Sequence, residues 1–217
     1  MVVSDLIDNC SKKLKEKNIS TYRLDSELLL SKAMNKSREE ILTNYNQKVY
    51  DEQISQYYHL IKRRLSKEPI EHILKRKEFW SKNFIVNSHA LIPRVETELL
   101  VEKVVEIFKK KRSLFILDIG TGTGCIILSI ISELKNAKGI GIDICKNAIE
   151  IAKQNQKMFN LSTNIKFICR SFMEIYNYKF DVVVSNPPYI ASIDLRNLED
   201  DVKNFEPKLA LDGGNDG

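Results

Sequence analysis

Ser185-Asn186-Pro187-Pro188-Tyr189 is the stretch whose residue types define a chemistry most narrowly. An amide nitrogen is a poor nucleophile because its lone pair is delocalised into the carbonyl. Two acceptors aimed at its two N–H bonds fix its orientation, favour pyramidalisation and free the lone pair. The Asn186 side-chain carbonyl can be one acceptor and the backbone carbonyl of Pro187 the other. Consecutive prolines, Pro187 and Pro188, stiffen the loop that holds them. Tyr189 offers a flat face on which a planar amide or a base can stack. The competing interpretation is a Pro-Pro turn that only ends a strand.

The loop gains meaning from a second feature upstream. Asp118-Ile119-Gly120-Thr121-Gly122-Thr123-Gly124 stands between an apolar strand and a helix. Glycines there permit a tight turn and a close approach of backbone to ligand. The nicotinamide fingerprint places its third glycine one position later than Gly124. The spacing here, GxGxG after an acidic residue, resembles that of enzymes using S-adenosyl-L-methionine, which has no pyrophosphate to cradle. Asp143 ends the next strand, where a carboxylate can accept both ribose hydroxyls of an adenosine; capping the helix near Lys146 is the alternative. Ser171 and Phe172 follow the third strand and are expected to border the adenine, with core packing the alternative for Phe172. The expected cofactor site is therefore Gly120, Thr121, Gly122, Thr123, Gly124, Asp143, Ser171, Phe172 and Asn186. The expected acceptor site is Asn186, Pro187, Pro188 and Tyr189, with Asn186, Pro187 and Tyr189 acting in catalysis.

These residues need a scaffold that brings strand ends together. From Leu114 onward short apolar runs alternate with helical stretches: strand 115–118, helix 125–134, strand 139–143, helix 148–159, strand 165–168 and strand 180–184. Alternation of this kind predicts a parallel sheet with right-handed crossovers. The first 75 or so residues read instead as four or five short helices. Leu24, Leu28, Leu29 and Ala33 recur at helical spacing, Ser37 and Glu40 form a capping box, and Asp51 is placed to cap another helix. A hairpin is expected near Phe79 to Val86, turning at Ser81-Lys82-Asn83, and a helix over 97–111. The expected domains are a helical docking module (1–75), a β-hairpin linker (76–92) and an α/β, Rossmann-like domain (93–217).

Composition excludes several classes. No apolar run approaches the ~20 residues of a membrane span, and no signal peptide is expected at the N-terminus. Cys10, Cys125, Cys145 and Cys169 are scattered, which suits a reducing, cytoplasmic setting. His59, His72 and His89 lack metal-ligand spacing, so no metal is expected. The net charge of +5 is uneven, +7 over residues 1–112 and −2 over residues 113–217; the basic half reads as a lysine-rich solvated surface, with a face for nucleic acid or an acidic protein the alternative.

Further stretches carry a resemblance. Asn186-Pro187-Pro188-Tyr189 resembles the motif of amino methyltransferases acting on adenine, cytosine or glutamine nitrogen. Leu91-Ile92-Pro93-Arg94-Val95-Glu96-Thr97-Glu98 resembles the segment LIPRPETE of the release-factor glutamine methyltransferases (PrmC/HemK). Arg63-Arg64, Glu68-Pro69-Ile70 and Glu78-Phe79-Trp80 resemble that family's interdomain stretch. Glu206-Pro207, Ala210-Leu211, Gly213-Gly214 and Asp216-Gly217 resemble its segment beyond the active site. The resemblance covers nearly the whole chain. It implies methylation, with S-adenosyl-L-methionine, of the glutamine in the Gly-Gly-Gln motif of class I peptide-chain release factors, the helical module helping to dock that protein. Val95 and Lys75 depart from the family's usual proline and glycine. Because family members continue through three more strands after the position of Gly217, the sheet is expected to be incomplete, with strand 180–184 beside strand 115–118 and a valine-rich edge. The alternatives are an adenine-N6 methyltransferase of nucleic acid and a truncated, non-catalytic binder. Direct nucleic-acid binding is not expected, since no DNA-binding module is evident.

Overall fold

The computed structural model describes residues 1–175 and 178–217, which divide into two units. The first holds residues 1–74 and 200–205. Its helices are α1 (Val3–Glu16), α2 (Tyr22–Met34), α3 (Arg38–Thr43), α4 (Asp51–Leu65) and α5 (Ile70–Leu74). Helix α1 buries Val3, Leu6, Ile7, Cys10 and Leu14, the stripe expected of a helix packed on one side. Helix α2 differs from the sequence reading. Leu24 is 41% exposed, and the buried face runs through Asp25, Ser26, Leu29, Leu30 and Ala33. Partners draw the polar residues inward: Arg64 Nε donates to Asp25 at 2.7 Å, and Ser26 shares a 2.6 Å hydrogen bond with Tyr57. Removing either member of the buried pair would strand a charge, at a cost of roughly 3–5 kcal/mol. The Ser37–Glu40 capping box forms in full, with bonds of 3.1 and 2.7 Å. Asp51 does not cap α4. Tyr50 takes the cap position, its N–H bonded to Gln53, so Asp51 is the first helical residue.

The second unit holds residues 75–199 and 206–217. It opens with the antiparallel pair β1 (Arg76–Phe79) and β2 (Lys82–Ile85). The turn falls at Trp80-Ser81, earlier than the sequence suggests, with φ of 51° and 53°, the backbone twist that two-residue hairpins require. This register buries Phe79 and Phe84 together, ring edge to face at 6.0 Å. A 3-10 turn (Val95–Thr97) leads into α6 (Glu98–Phe108), so Lys109 to Arg112 follow the helix rather than close it.

The main sheet comprises β3 (Leu114–Ile119), β4 (Ala137–Asp143), β5 (Ile165–Cys169) and β6 (Val182–Ser185), all parallel in the order β5-β4-β3-β6. Helices α7 (Cys125–Glu133) and α8 (Lys146–Met158) make the crossovers. The apolar runs are continuous because the sheet buries both faces: Ile116, Ile127 and Phe167 lie in one cluster, Leu117, Ile140 and Ile142 in another. After β5 the chain returns to place β6 beside β3, as the crossover reading expects. Strand order reverses at that point, so the carboxyl ends of β3 and β6 flank a crevice. Two short parallel strands, β7 (Ile190–Ala191) and β8 (Asp212–Gly214), pair beyond it. Between them α9 (Asp200–Phe205) belongs to the first unit.

Candidate active site

The glycine loop leaves β3 with Gly120, Gly122 and Gly124 at φ of 69°, 54° and 80°, a region that side-chain-bearing residues enter only at a cost. Thr121 fixes the loop from within. Its N–H donates to the Ile142 carbonyl at 2.9 Å, and its hydroxyl donates to Asp118 Oδ2 at 2.7 Å. Asp118 is fully buried, and that burial pushes its carboxyl up to about 7 despite the Thr121 bond. Asp143, at the end of β4, holds the loop from the side. Its Oδ2 accepts the Gly122 N–H and its Oδ1 accepts the Cys145 N–H, each at 2.9 Å. It therefore braces the loop and begins α8 together, and each oxygen retains a lone pair for a ligand hydroxyl.

Opposite stands the loop after β6. Ser185 Oγ donates to the Ile119 carbonyl at 2.9 Å, tying the strand end to β3. Asn186 is half-buried and its Nδ2 donates to Thr97 Oγ1 at 3.4 Å. The backbone of Pro188 and Tyr189 rests on Gly213. A Cβ at that position would lie 2.9 Å from the Pro188 oxygen and 3.0 Å from Tyr189 Cα. A third segment closes the wall: Glu206, whose side chain is 1% exposed, accepts the Ile92 N–H at 3.2 Å and a 2.6 Å ion-paired bond from Arg94.

These segments enclose a cavity of about 370 Å³, in the range of small-molecule sites. Gly120, Thr121, Gly122, Thr123, Asp143, Phe172, Asn186, Pro187 and Pro188 line it, so the structure gathers most of the residues singled out from sequence. Phe172 is 57% exposed on that wall rather than packed in a core. Three residues lie elsewhere. Gly124 sits beneath the loop against Leu128 and Phe167 at the start of α7. The Ser171 hydroxyl accepts the Met173 N–H in a 3-10 turn. Tyr189 is 69% exposed beyond the cavity wall. Sequence reasoning did not single out Thr97, Cys145, Arg170 and Asp212, which the fold adds to the lining. The motif around Thr97 was visible, but its proximity to Asn186 was not. Cys125 is buried, its thiol pushed up to about 12 by desolvation, and so is inert.

A parallel sheet whose order reverses at a glycine loop, with a carboxylate ending the adjacent strand, is the Rossmann-like domain of methyltransferases that use S-adenosyl-L-methionine. Residues 5–74 match the PrmC N-terminal domain family and residues 110–209 a methyltransferase domain family. A release factor glutamine methyltransferase of Clostridium acetobutylicum is 37% identical over 100% of this chain and 77% of its own length. That of Buchnera aphidicola is 38% identical over 97% of this chain and 75% of its own. The chain belongs to the release factor glutamine methyltransferase family. A bifunctional methyltransferase of Rickettsia prowazekii is 36% identical over 99% of this chain, which spans only 45% of that relative's length. A crystal structure of an S-adenosylmethionine-dependent methyltransferase from Agrobacterium tumefaciens superposes with a TM-score of 0.45 at 20% identity, over 54% of this chain and 40% of that one. Among the described residues no helix is long and apolar enough to cross a membrane.

Proposed function

We propose that this chain transfers a methyl group from S-adenosyl-L-methionine to the side-chain nitrogen of the glutamine in the Gly-Gly-Gln motif of class I peptide-chain release factors. The observation that carries the proposal is one cavity lined both by a glycine loop with its Asp143 brace and by Asn186 with the Pro187 carbonyl. The residues present fit the cofactor. Asp143 keeps free lone pairs for ribose hydroxyls, Phe172 and Ile144 offer apolar surface to an adenine, and Gly120 and Gly122 leave the loop backbone bare. When bound, its sulfonium supplies an electrophilic methyl.

The chain's own contribution is placement. Asn186 Oδ1 and the Pro187 carbonyl accept the two N–H bonds of the incoming amide and turn its lone pair out of conjugation. Holding the reacting groups in one orientation supplies much of the acceleration. An N-methylated amide nitrogen that still carries both protons is a strong acid and releases one to water, so Asn186 need not act as a base. Tyr189, on the exposed side of the loop, is available to the protein that bears the glutamine, and the helical unit helps to dock it. The activity belongs in the cytoplasm, with translation factors.

Incubation with methyl-labelled cofactor and a class I release factor, its Gly-Gly-Ala variant, or DNA tests this reading. Label should enter the release factor and disappear with the glutamine. Label in DNA, or in the Gly-Gly-Ala variant, would overturn it.

A further inference from the structure

Asn186 can serve as an acceptor only in one of its two amide orientations. The ends of the side chain have nearly the same shape but opposite polarity: Oδ1 accepts, Nδ2 donates. A half-buried asparagine on a loop needs a partner that holds its amide in place before the acceptor arrives. The structure supplies one. Nδ2 donates to Thr97 Oγ1 at 3.4 Å; a hydroxyl can also donate to Oδ1, so Thr97 anchors the amide and the incoming N–H settles its polarity. The bond is long, as catalytic contacts often are before a substrate tightens them.

Thr97 closes the 3-10 turn that leads into α6. Its backbone is helical, with φ of -69° and ψ of -18°, whereas a capping hydroxyl accepts a first-turn N–H from an extended backbone. Here it makes no such bond. Its oxygen faces the cavity and meets Asn186 instead. The residue is held from behind. The Thr97 N–H donates to the Arg94 carbonyl at 3.1 Å, and the Arg94 guanidinium and Ile92 N–H both end on the buried Glu206 carboxylate.

We propose that Thr97 is the positioning residue that anchors the Asn186 side chain for the acceptor nitrogen, Glu206 holding Thr97 in place through Arg94. This rests on the methyl transfer proposed above and deepens it. Thr97 does not bind the cofactor, and its loss is felt in turnover.

Two measurements on the full chain test it. In the first, the nitrogen-15 side-chain resonance of Asn186 is followed without substrate in the wild type, Thr97→Val and Thr97→Ser. Val keeps the shape and removes the hydroxyl, so the Asn186 NH2 signal should move in Val and return in Ser. In the second, kcat, KM for release factor and Kd for the cofactor are compared. Val should lower kcat about tenfold, the worth of one neutral hydrogen bond, with KM and Kd within about twofold, and Ser should restore kcat. Thr97→Ala, which adds no bulk, should reproduce Val. An Asn186 signal or a kcat unmoved by Val, or no rescue by Ser, overturns the assignment. If the wild type transfers no methyl to a release factor, the functional reading falls, and the resonance still decides whether Thr97 holds Asn186.

Discussion

Gly213 offers a test of how tightly the acceptor loop is held. Its own backbone does not need glycine; only the approach of the neighbouring chain does. An added Cβ would stand 2.8 Å from the Gly217 carbonyl carbon, 2.9 Å from the Pro188 oxygen and 3.0 Å from Tyr189 Cα. Non-bonded carbons settle at about 3.5–4.0 Å, so Gly213→Ala must displace exposed Gly217 and also push the Pro188–Tyr189 backbone outward by roughly half an ångström. A misplacement of ~1 Å can cost about 100-fold in rate, so half of that predicts a loss of about tenfold in kcat. Overpacking should also cost about 1 kcal/mol of stability, the low end for such insertions, because the segment is only half-buried. The glycine loop lies on another wall, so cofactor affinity should hold. Calorimetric titration with S-adenosyl-L-methionine, single-turnover methylation and a thermal melt measure the three quantities. Gly214→Ala is the control: nothing lies within 4 Å of its Cβ, so its cost comes from a φ of 100° instead. An unchanged turnover in Gly213→Ala, or an equal loss of turnover and cofactor affinity, would refute the argument.

Other perturbations separate the remaining parts of the site. Asn186→Ala should abolish methyl transfer while leaving most cofactor affinity, read by calorimetry beside a methylation assay; near-normal activity would remove Asn186 from the mechanism. Asp143→Ala should weaken cofactor binding by about 1.5–3 kcal/mol, the usual range for bonds to a charged group, and an unchanged dissociation constant would confine Asp143 to bracing the loop and starting α8. The Asp118 carboxyl is pushed up to about 7 from an ordinary 3.8, chiefly by burial. The folded state therefore keeps a proton that the unfolded chain gives up, and stability should fall as pH rises from about 4 to about 7. Asp118→Asn lacks that titration, so its melting temperature should gain on the wild type across this window and run parallel above it; curves parallel throughout would show that Asp118 does not titrate as its burial requires.

Local patterns were legible in the sequence because each chemical group follows a strand. The glycine loop, Asp143 and Asn186 could be assigned to strand ends, and the crossover rule placed β6 beside β3. What escaped depends on partners distant in sequence. The rotated face of α2 is set by Arg64, 39 residues from Asp25. Asn186 meets Thr97 across 89 residues and Glu206 meets Arg94 across 112, and no periodicity reports such contacts. The Trp80-Ser81 turn carries neither glycine nor asparagine, so its positive φ left no compositional mark. The LIPR and Glu-Pro segments stood out by resemblance alone, and only the fold shows them as two sides of one wall.

The carboxylate of Asp143 has one further consequence. One oxygen holds the Gly122 amide and the other holds the Cys145 amide at the entrance to α8. Loop order and helix order therefore share a single hinge pin. A ligand that settles on this carboxylate damps both, because a rotation of the side chain would release two amides together. Amide hydrogen exchange should then slow at Gly122 and Cys145 in step when the cavity fills, with protection spreading into the first turn of α8. A helix end that touches the ligand through one side chain would become a reporter of occupancy.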